Sequence, residues 1–498
     1  MNKFHSTVSR RDFMKGIGLI LGGAGATAAT VPVFHDLDEM LATSDGVAEK
    51  RAWWIKEREY LNPVSEIDWN VMQRHGTSPA TSYNNETVHL TTEEYQKRFA
   101  ARLVTRKNYI NGNAPGNTLR DYALRVACWS PVMGSRTQPY IGSDQVFLGQ
   151  WANMLFGDLM HFQVSAGFPK WQGTPEDNNL MIRCAARVLG GTTVAFGELI
   201  PEKTQKLSYK WRQTYEAFEF EDVDKPYCGP VGQGLIPFKS VTPNKYKNVI
   251  LCNLNEDIPL GRSSPSALME AAVAKAYDQA RILDYRMIAF IKAIGWGAVG
   301  SDISGMVMRP GWGEIAGLGE CGRHHQLITP EYGPHIRHCQ ELFTDLPLTP
   351  TNPIEFGASR FCAGSCRKCS DICPGMAIPS GDRTWEITPA SSTECNPSHL
   401  VPEVFNQPGK KIWYLNHFAC HDTWVTLDNG CNQCTATCVF TRERLASIHE
   451  FVKPIVSTTP LLNGFFYNMD KAFGYGILPE DKWEDFWKKP RAIIGNNY

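Results

Sequence analysis

The stretch from Phe361 to Pro374, FCAGSCRKCSDICP, constrains this chain more than any other. Four cysteines stand within twelve residues, separated by gaps of three, two and three, so one loop can wrap its sulfurs around a single inorganic centre. A second group, Cys431, Cys434 and Cys438, follows Gly430 with gaps of two and three, and Cys420 lies upstream of it. The chain has 15 cysteines, an odd count, and the bunching of eight of them between 362 and 438 favours metal ligation over a disulfide framework. The other seven, Cys128, Cys184, Cys228, Cys252, Cys321, Cys339 and Cys395, are scattered and read mainly as free thiols that behave as small hydrophobes.

The first run nearly reproduces the bacterial ferredoxin pattern, in which three cysteines ligate one 4Fe-4S cluster and the fourth, before a proline, ligates a neighbour. Its first gap is one residue longer. The cross-over logic places Cys362, Cys366, Cys369 and Cys438 on one cluster and Cys373, Cys420, Cys431 and Cys434 on the other. Cys395 is the rival for Cys420, and Val439 stands where the second run would have its proline. Zinc is the competing ligand, but it prefers two spaced pairs, and two interleaved sets suit clusters better. Two clusters make an electron wire, which needs a catalytic centre to feed.

A chain of 498 residues with 43% hydrophobic content can bury large cores, and its length suggests roughly three domains. Fifty Lys and Arg against 51 Asp and Glu give no reason to expect nucleic acid as a partner, and point to a small, uncharged substrate. Near the N-terminus, Ser9-Arg10-Arg11-Asp12-Phe13-Met14-Lys15 precedes a Gly/Ala-rich run to about Phe34, the layout of a twin-arginine export signal. That pathway carries proteins already folded around their cofactors, as an exported iron-sulfur protein requires. No later stretch is long and apolar enough to span a bilayer.

Strand and helix patterns alternate between the signal and the cysteines, which points to an α/β or α+β core. Thr174 with Pro175, Glu176 and Asp177 marks a helix start. Lys247 to Cys252 is a run of strand length. Ser266 to Ile294 reads as one long helix whose stripe is Leu268, Ala272, Ala276, Ala280, Leu283, Met287, Ile291 and Ile294, ended by Gly295. The glycine-rich stretch from Gly311 through Gly333 suggests backbone lying close against a flat ligand.

The twin-arginine signal, the blocks AGLGECGRHHQLITPEYGPHIR and TDLPLTPTNPIEFG running into the first cysteine run, the tail STTPLLNGFFYNMDKAFGYG and the anchor WQGTPEDN together resemble the respiratory reductive dehalogenases. The resemblance covers nearly the whole chain and is most specific from Ser263 onward. It implies a signal peptide over 1–42 and an N-terminal segment over 43–160 that packs on the next domain. A nitroreductase-like cobalamin-binding domain follows over 161–345, then a ferredoxin-like domain with two 4Fe-4S clusters over 346–450 and a C-terminal extension over 451–498. The implied cofactors are a base-off corrinoid and the two clusters, and the implied reaction exchanges a carbon–halogen for a carbon–hydrogen bond as the terminal step of organohalide respiration. No Asp-x-His-x-x-Gly sequence is present to donate a lower-face histidine, which is consistent with base-off binding.

The resemblance further implies that Tyr277, ahead of Phe290-Ile291-Lys292, is the proton donor and that Arg337 is its cationic partner. A phenol with a reference pKa of about 10 keeps its proton at neutral pH, and a nearby cation favours its transfer. From spacing alone Tyr277 reads as a core or boundary residue, Arg337 as a surface cation, and Arg281 as an alternative cation or a partner of Asp284. Corrinoid contacts are assigned to Ser266, Met306, Trp312, Leu318, Glu320 and Arg323, with Trp296 a further candidate for an apolar pocket wall. A polar residue that the family sometimes carries falls here at Ile303. His324 and His325 read as structural or solvent-facing, and His417 and His421 flank Cys420, which is the simpler ligand.

The implied substrate is a small halogenated organic, a chloroethene or a chlorinated aromatic. Implied partners are a small integral membrane anchor protein and a respiratory electron donor, with a homodimer compatible and the location peripheral on the outer face of the cytoplasmic membrane. Two other functions fit the cysteines: a corrinoid and iron-sulfur reductase of a modified tRNA base, and an exported electron-transfer protein. The export signal and lack of basic excess weigh against the first, and some three hundred residues upstream of the clusters weigh against the second.

Overall fold

The structure, a computed structural model, describes residues 51–74, 92–122, 170–212, 216–230, 238–300, 307–364, 366–387, 406–441, 447–472 and 475–488. The export signal, Met306, Ile303, Cys128 and Cys395 lie outside them.

Helix α1 (Thr92–Asn111) is followed by α2 (Pro175–Leu189), which begins as its sequence dictates. The Asp177 amide donates to Thr174 Oγ1 at 3.1 Å and Asp177 answers the cap amide, a reciprocal capping box, while Gly190 at φ 110° closes the other end. Strands β1 (Thr193–Glu198) and β2 (Asn248–Asn255) pair antiparallel. The long helix α3 (Ala267–Ala293) then runs between the two residues expected to bound it: Ser266 accepts the Met269 amide as N-cap, and Gly295 at φ 91° follows the end. Short strand β3 (Ala298–Gly300), helix α4 (Arg309–Ile315) and strand β4 (Ile336–Thr344) complete the core.

The central sheet has the order β1-β2-β4-β3 and is antiparallel at every pairing. Among the described residues, parallel pairing occurs in a second sheet, between Glu216–Glu221 and Phe238–Pro243. The arrangement is therefore the α+β form of the expected mixed fold, because hairpin-like and long returns replace the parallel crossovers that an α/β sheet needs.

Strand β2 is buried on both faces, which is why it reads as a continuous apolar run. Ile250, Cys252 and Leu254 meet α2 and α3 through Ile182, Ala186, Leu283, Met287 and Ile291, while Val249 and Leu251 meet Trp312 and Ile315 of α4 on the other side. The fully buried Leu283, Met287 and Ile291 each contribute about 1.5–3 kcal/mol of hydrophobic stabilisation.

The glycine-rich stretch departs from expectation. A Cβ at Gly317 would meet the Asn352 carbonyl, one at Gly319 the Ile328 carbonyl, and one at Gly333 the Phe440 carbonyl. These glycines let protein backbone approach protein backbone, so their close contacts are internal.

The cysteine-rich part consists of short pieces: α5 (Ala358–Gly364), α6 (Lys368–Asp371), α7 (His417–Leu427) and α8 (Gln433–Ala436). Helices α9 (Ser447–Thr458) and α10 (Asn463–Ala472) cover it, with Val456 and Phe466 packed on Phe361 and Cys366. Helix α1 is tied to the end of α7, where buried Asp428 takes up Arg102, Arg106 and the Tyr122 hydroxyl. No helix among the described residues is long and apolar enough to cross a membrane.

Candidate active site

The site joins the end of β2, the middle of α3, the start of β4 and the Cys431–Cys434 loop. Tyr277 is a partly exposed residue of α3, and the Arg337 guanidinium lies over its ring, 5.6 Å from the centroid. A bulge in β4 between Arg337 and Gln340 inserts one extra residue against β2, and such a bulge re-aims the neighbouring side chain. Arg337 keeps 22% of its side-chain exposure, while the acid behind it is sealed.

That acid is Glu256, which is 2% exposed, forms an ion pair with Arg337 and places its other oxygen 3.3 Å from His335 Nδ1. Asn432 Nδ2 donates to the same oxygen at 3.3 Å. Burial pushes the Glu256 carboxyl up, but Arg337, His335 and Asn432 outweigh it and hold the group below the usual carboxylate range. Burial likewise opposes the charge on Arg337, and Glu256 and Tyr277 reverse that effect, so the guanidinium is more firmly protonated than usual.

A second buried pair stands nearby: Arg309 Nε donates to Glu341 Oε2 at 2.7 Å, with Tyr277, Asp284 and Tyr209 in electrostatic reach. Burial pushes the Tyr209 phenol up to about 12 against the opposing Arg309, with Glu341 adding a smaller push. Glu256, Arg309, Glu341 and Tyr209 are site residues that sequence reasoning missed. The position of Arg309 in the first turn of α4, where the helix dipole disfavours a cation, was the one available signal. The side chain of Arg281, the alternative cation, lies outside the described residues.

The eight cysteines lie close enough to one another to interact electrostatically. Cys369 is within electrostatic reach of Cys362, Cys366 and Cys438, and also of Cys434 in the other set. Cys420 is within reach of Cys373, Cys431 and Cys434, while Cys395 lies outside the described residues. All eight are free thiols. Burial and crowding push Cys362 and Cys434 up to about 12 and Cys431 up to about 11, so they would ionise only around a positive centre. Among the described residues no group of three or more His, Cys, Asp or Glu side chains is placed to hold a single metal ion. Arg337 and Cys434 are also in electrostatic reach, so the second set is the one beside Tyr277.

The residues assigned to corrinoid contacts have other partners. Ser266 caps α3; Trp312 and Leu318 are core residues, Trp312 lying against Gly197. Glu320 accepts the amides of Phe356, Gly357 and Ser359 at the start of α5. Arg323 is buried and donates to the carbonyls of Cys362, Cys366, Pro379 and Gly381, shaping the first cysteine loop. Trp296 donates to the Trp171 carbonyl beneath Lys170, at the end of α3. His324 is buried, and His325 accepts the Leu415 amide. Met306 falls on residues not described.

Among the described residues, Ser208 Oγ, Asn406 Oδ1, Gln407 Oε1 and Trp312 Nε1 of α4 are buried polar atoms without a hydrogen-bond partner. Gln407 Nε2 donates to the Lys206 carbonyl at 2.7 Å, and Ser208 bridges to Val307, which brings these segments together. Each orphaned group costs about 1–3 kcal/mol unless a ligand satisfies it. An amide-fringed cofactor such as a corrinoid fits that set.

The reductive dehalogenase subunit family matches residues 50–348 of the chain. A chloroethene reductive dehalogenase of Dehalococcoides mccartyi (strain VS) is 30% identical over 550 aligned positions, covering 99% of each chain. The fold is similar to that of the catabolic reductive dehalogenase NpRdhA, with a TM-score of 0.56 at 19% identity over 86% of this chain and 49% of that one. A solved reductive dehalogenase described as suggesting a mechanism for B12-dependent dehalogenation has a TM-score of 0.52 at 16% identity, over 85% of this chain and 49% of that one. The chain thus spans about half the length of these solved relatives. With residues 50–348 matching the family and a curated member aligned end to end, the chain belongs to the reductive dehalogenase family, oxidoreductases that act on carbon–halogen bonds.

Proposed function

We propose that the protein binds a corrinoid and two 4Fe-4S clusters and removes halogen from a small chlorinated organic, as terminal reductase of organohalide respiration. The observation that carries this reading is the Arg337 guanidinium over the Tyr277 ring, next to the cysteine set that includes Cys434. The overall change takes R–Cl, two electrons and one proton to R–H and chloride. When bound, the corrinoid supplies the reducing cobalt chemistry that cleaves carbon–halogen bonds.

The protein's own residues do the rest. Cys362, Cys366, Cys369 and Cys438 would hold one cluster and Cys373, Cys420, Cys431 and Cys434 the other, and the clusters would supply one-electron reduction beside the site. Tyr277 Oη holds the proton that the carbon receives, and Arg337 stabilises the phenolate left behind and the charge of the departing halide. Ser208, Asn406 and Gln407 offer unpaired polar atoms to the corrinoid amides. The end-to-end likeness to a chloroethene enzyme favours chloroethenes over chlorinated aromatics. The arginine pair at Arg10-Arg11 supports export by the twin-arginine route, with attachment to the outer face of the cytoplasmic membrane through a small membrane protein and electrons from a respiratory donor.

Anaerobic reconstitution followed by cofactor counting and a halide-release assay tests the proposal. One corrinoid, about eight irons and chloride released from chloroethenes with a strong reductant are the expected result. Irons without corrinoid, and no chloride from chloroethenes or chlorobenzenes, would overturn it and favour an electron carrier.

A further inference from the structure

We propose that Glu256 is a positioning residue for the reaction, holding Arg337 against Tyr277 and joining that pair to the loop of the second cysteine set. The inference rests on the reading of Tyr277 and Arg337 as proton donor and cation. Glu256 immediately follows β2, and its amide donates to the His335 carbonyl at 3.0 Å, so the backbone fixes the acid beside β4 before any side chain acts. One carboxylate oxygen pairs with Arg337, and the other faces His335 Nδ1 and accepts from Asn432. Asn432 lies between Cys431 and Cys434, at φ 49°, and its Oδ1 accepts from Thr435. The carboxylate therefore touches the catalytic cation and the ligand loop at once.

A second link runs parallel to the first. Glu270, two turns before Tyr277 on α3, accepts the Gly430 amide at 3.1 Å, one residue before Cys431. The helix of the proton donor and the partner of the cation are thus bolted to the same loop. Fold stability alone gives little reason for such an arrangement, since a buried ion pair is often no better than apolar residues of the same shape, whereas loss of one partner is costly. What the buried acid provides is a fixed guanidinium: with Glu256 behind it, Arg337 cannot swing away from the phenol when the cluster changes charge.

The test uses the full protein loaded with both cofactors and three variants, E256Q, E256D and N432A. E256Q keeps the shape and loses the charge. It is expected to lower kcat about 100-fold with KM changed by no more than about twofold and with corrinoid and iron unchanged, while the melting temperature falls because Arg337 loses its buried partner. E256D should recover part of that loss, and N432A should alter the electron paramagnetic resonance signal of the second cluster while cofactor content stays constant. If E256Q fails to accumulate, E256D and N432A carry the test through the same two readouts. Wild-type kcat and an unaltered cluster signal in the variants that load would overturn the proposal. Absence of halide release from the unmodified protein would instead defeat the dehalogenase reading, and the cluster signal of E256Q and N432A would still decide whether Glu256 is joined to that loop.

Discussion

The two cysteine sets and the Tyr277 wall meet at Cys434, yet they are built at different ranges of sequence. Seven of the eight cysteines fall in two short runs, 362–373 and 431–438, and Cys420 is one helix away, so the spacing of the sulfurs is set by a few turns of local chain. The wall takes Glu256 from the end of β2, Tyr277 from α3, Arg309 from α4, and Arg337 and Glu341 from β4, and the antiparallel pairing of β2 with β4 and the packing of α3 and α4 on that sheet bring these together. Ligation leaves its spacing in the sequence, whereas charge pairing across a sheet leaves almost none.

The largest expected effect tests the local half. Replacing Cys420 by serine should abolish turnover and lower iron from about eight toward about four per chain, read by iron analysis and electron paramagnetic resonance. Unchanged iron would return Cys395 to consideration.

Next in size is Arg323→Met, which asks how far the first cysteine run depends on residues outside it. The variant takes the guanidinium donor from the carbonyls of Cys362, Cys366 and Pro379, while Gly381 keeps Trp413 Nε1, and it removes the cation stacked 4.9 Å from the Trp413 ring centroid. A loss of about 3–5 kcal/mol is expected, together with poorer loading of the first cluster, measured by denaturant unfolding and iron content. Wild-type stability would mean that the loop holds its shape alone.

Asp428→Asn probes the long-range half away from the chemistry. Burial raises the Asp428 carboxyl, but Arg106 and Arg102 outweigh it and hold it below the usual range. Its stabilising contribution is present above the unfolded carboxylate pKa of about 3.9 and is lost as pH falls through the lower folded value. Loss of about 3 kcal/mol is expected at neutral pH, with the gap between variant and parent narrowing in acid. A gap that does not change with pH would contradict this assignment. The smallest effect, about 1 kcal/mol, is expected for Ser266→Ala, which removes the cap of α3; corrinoid content should not change if capping is the whole role of the hydroxyl.

The same division explains what could be read before the structure. The α2 capping box at Thr174 and the limits of α3 at Ser266 and Gly295 each follow from residues within a few turns of one another. The glycine-rich stretch misled because a missing Cβ does not say what approaches it; at Gly317, Gly319 and Gly333 the visitor is protein backbone. Glu320 and Arg323 stand among the residues assigned to cofactor contacts, and their partners are amides and carbonyls 36 to 58 residues further along the chain. Glu256 carried no mark at all in the sequence, since its importance depends on His335, Arg337 and Asn432, far along the chain.

The account depends most directly on Tyr277 as the source of the proton, and single-turnover chloride release by Tyr277→Phe tests it. With corrinoid and iron counts equal to those of the parent, the account predicts a rate at least about 100-fold slower, because the ring stays beneath Arg337 and only the proton is gone. Release at the parent rate would contradict it and would require the proton to come from another group.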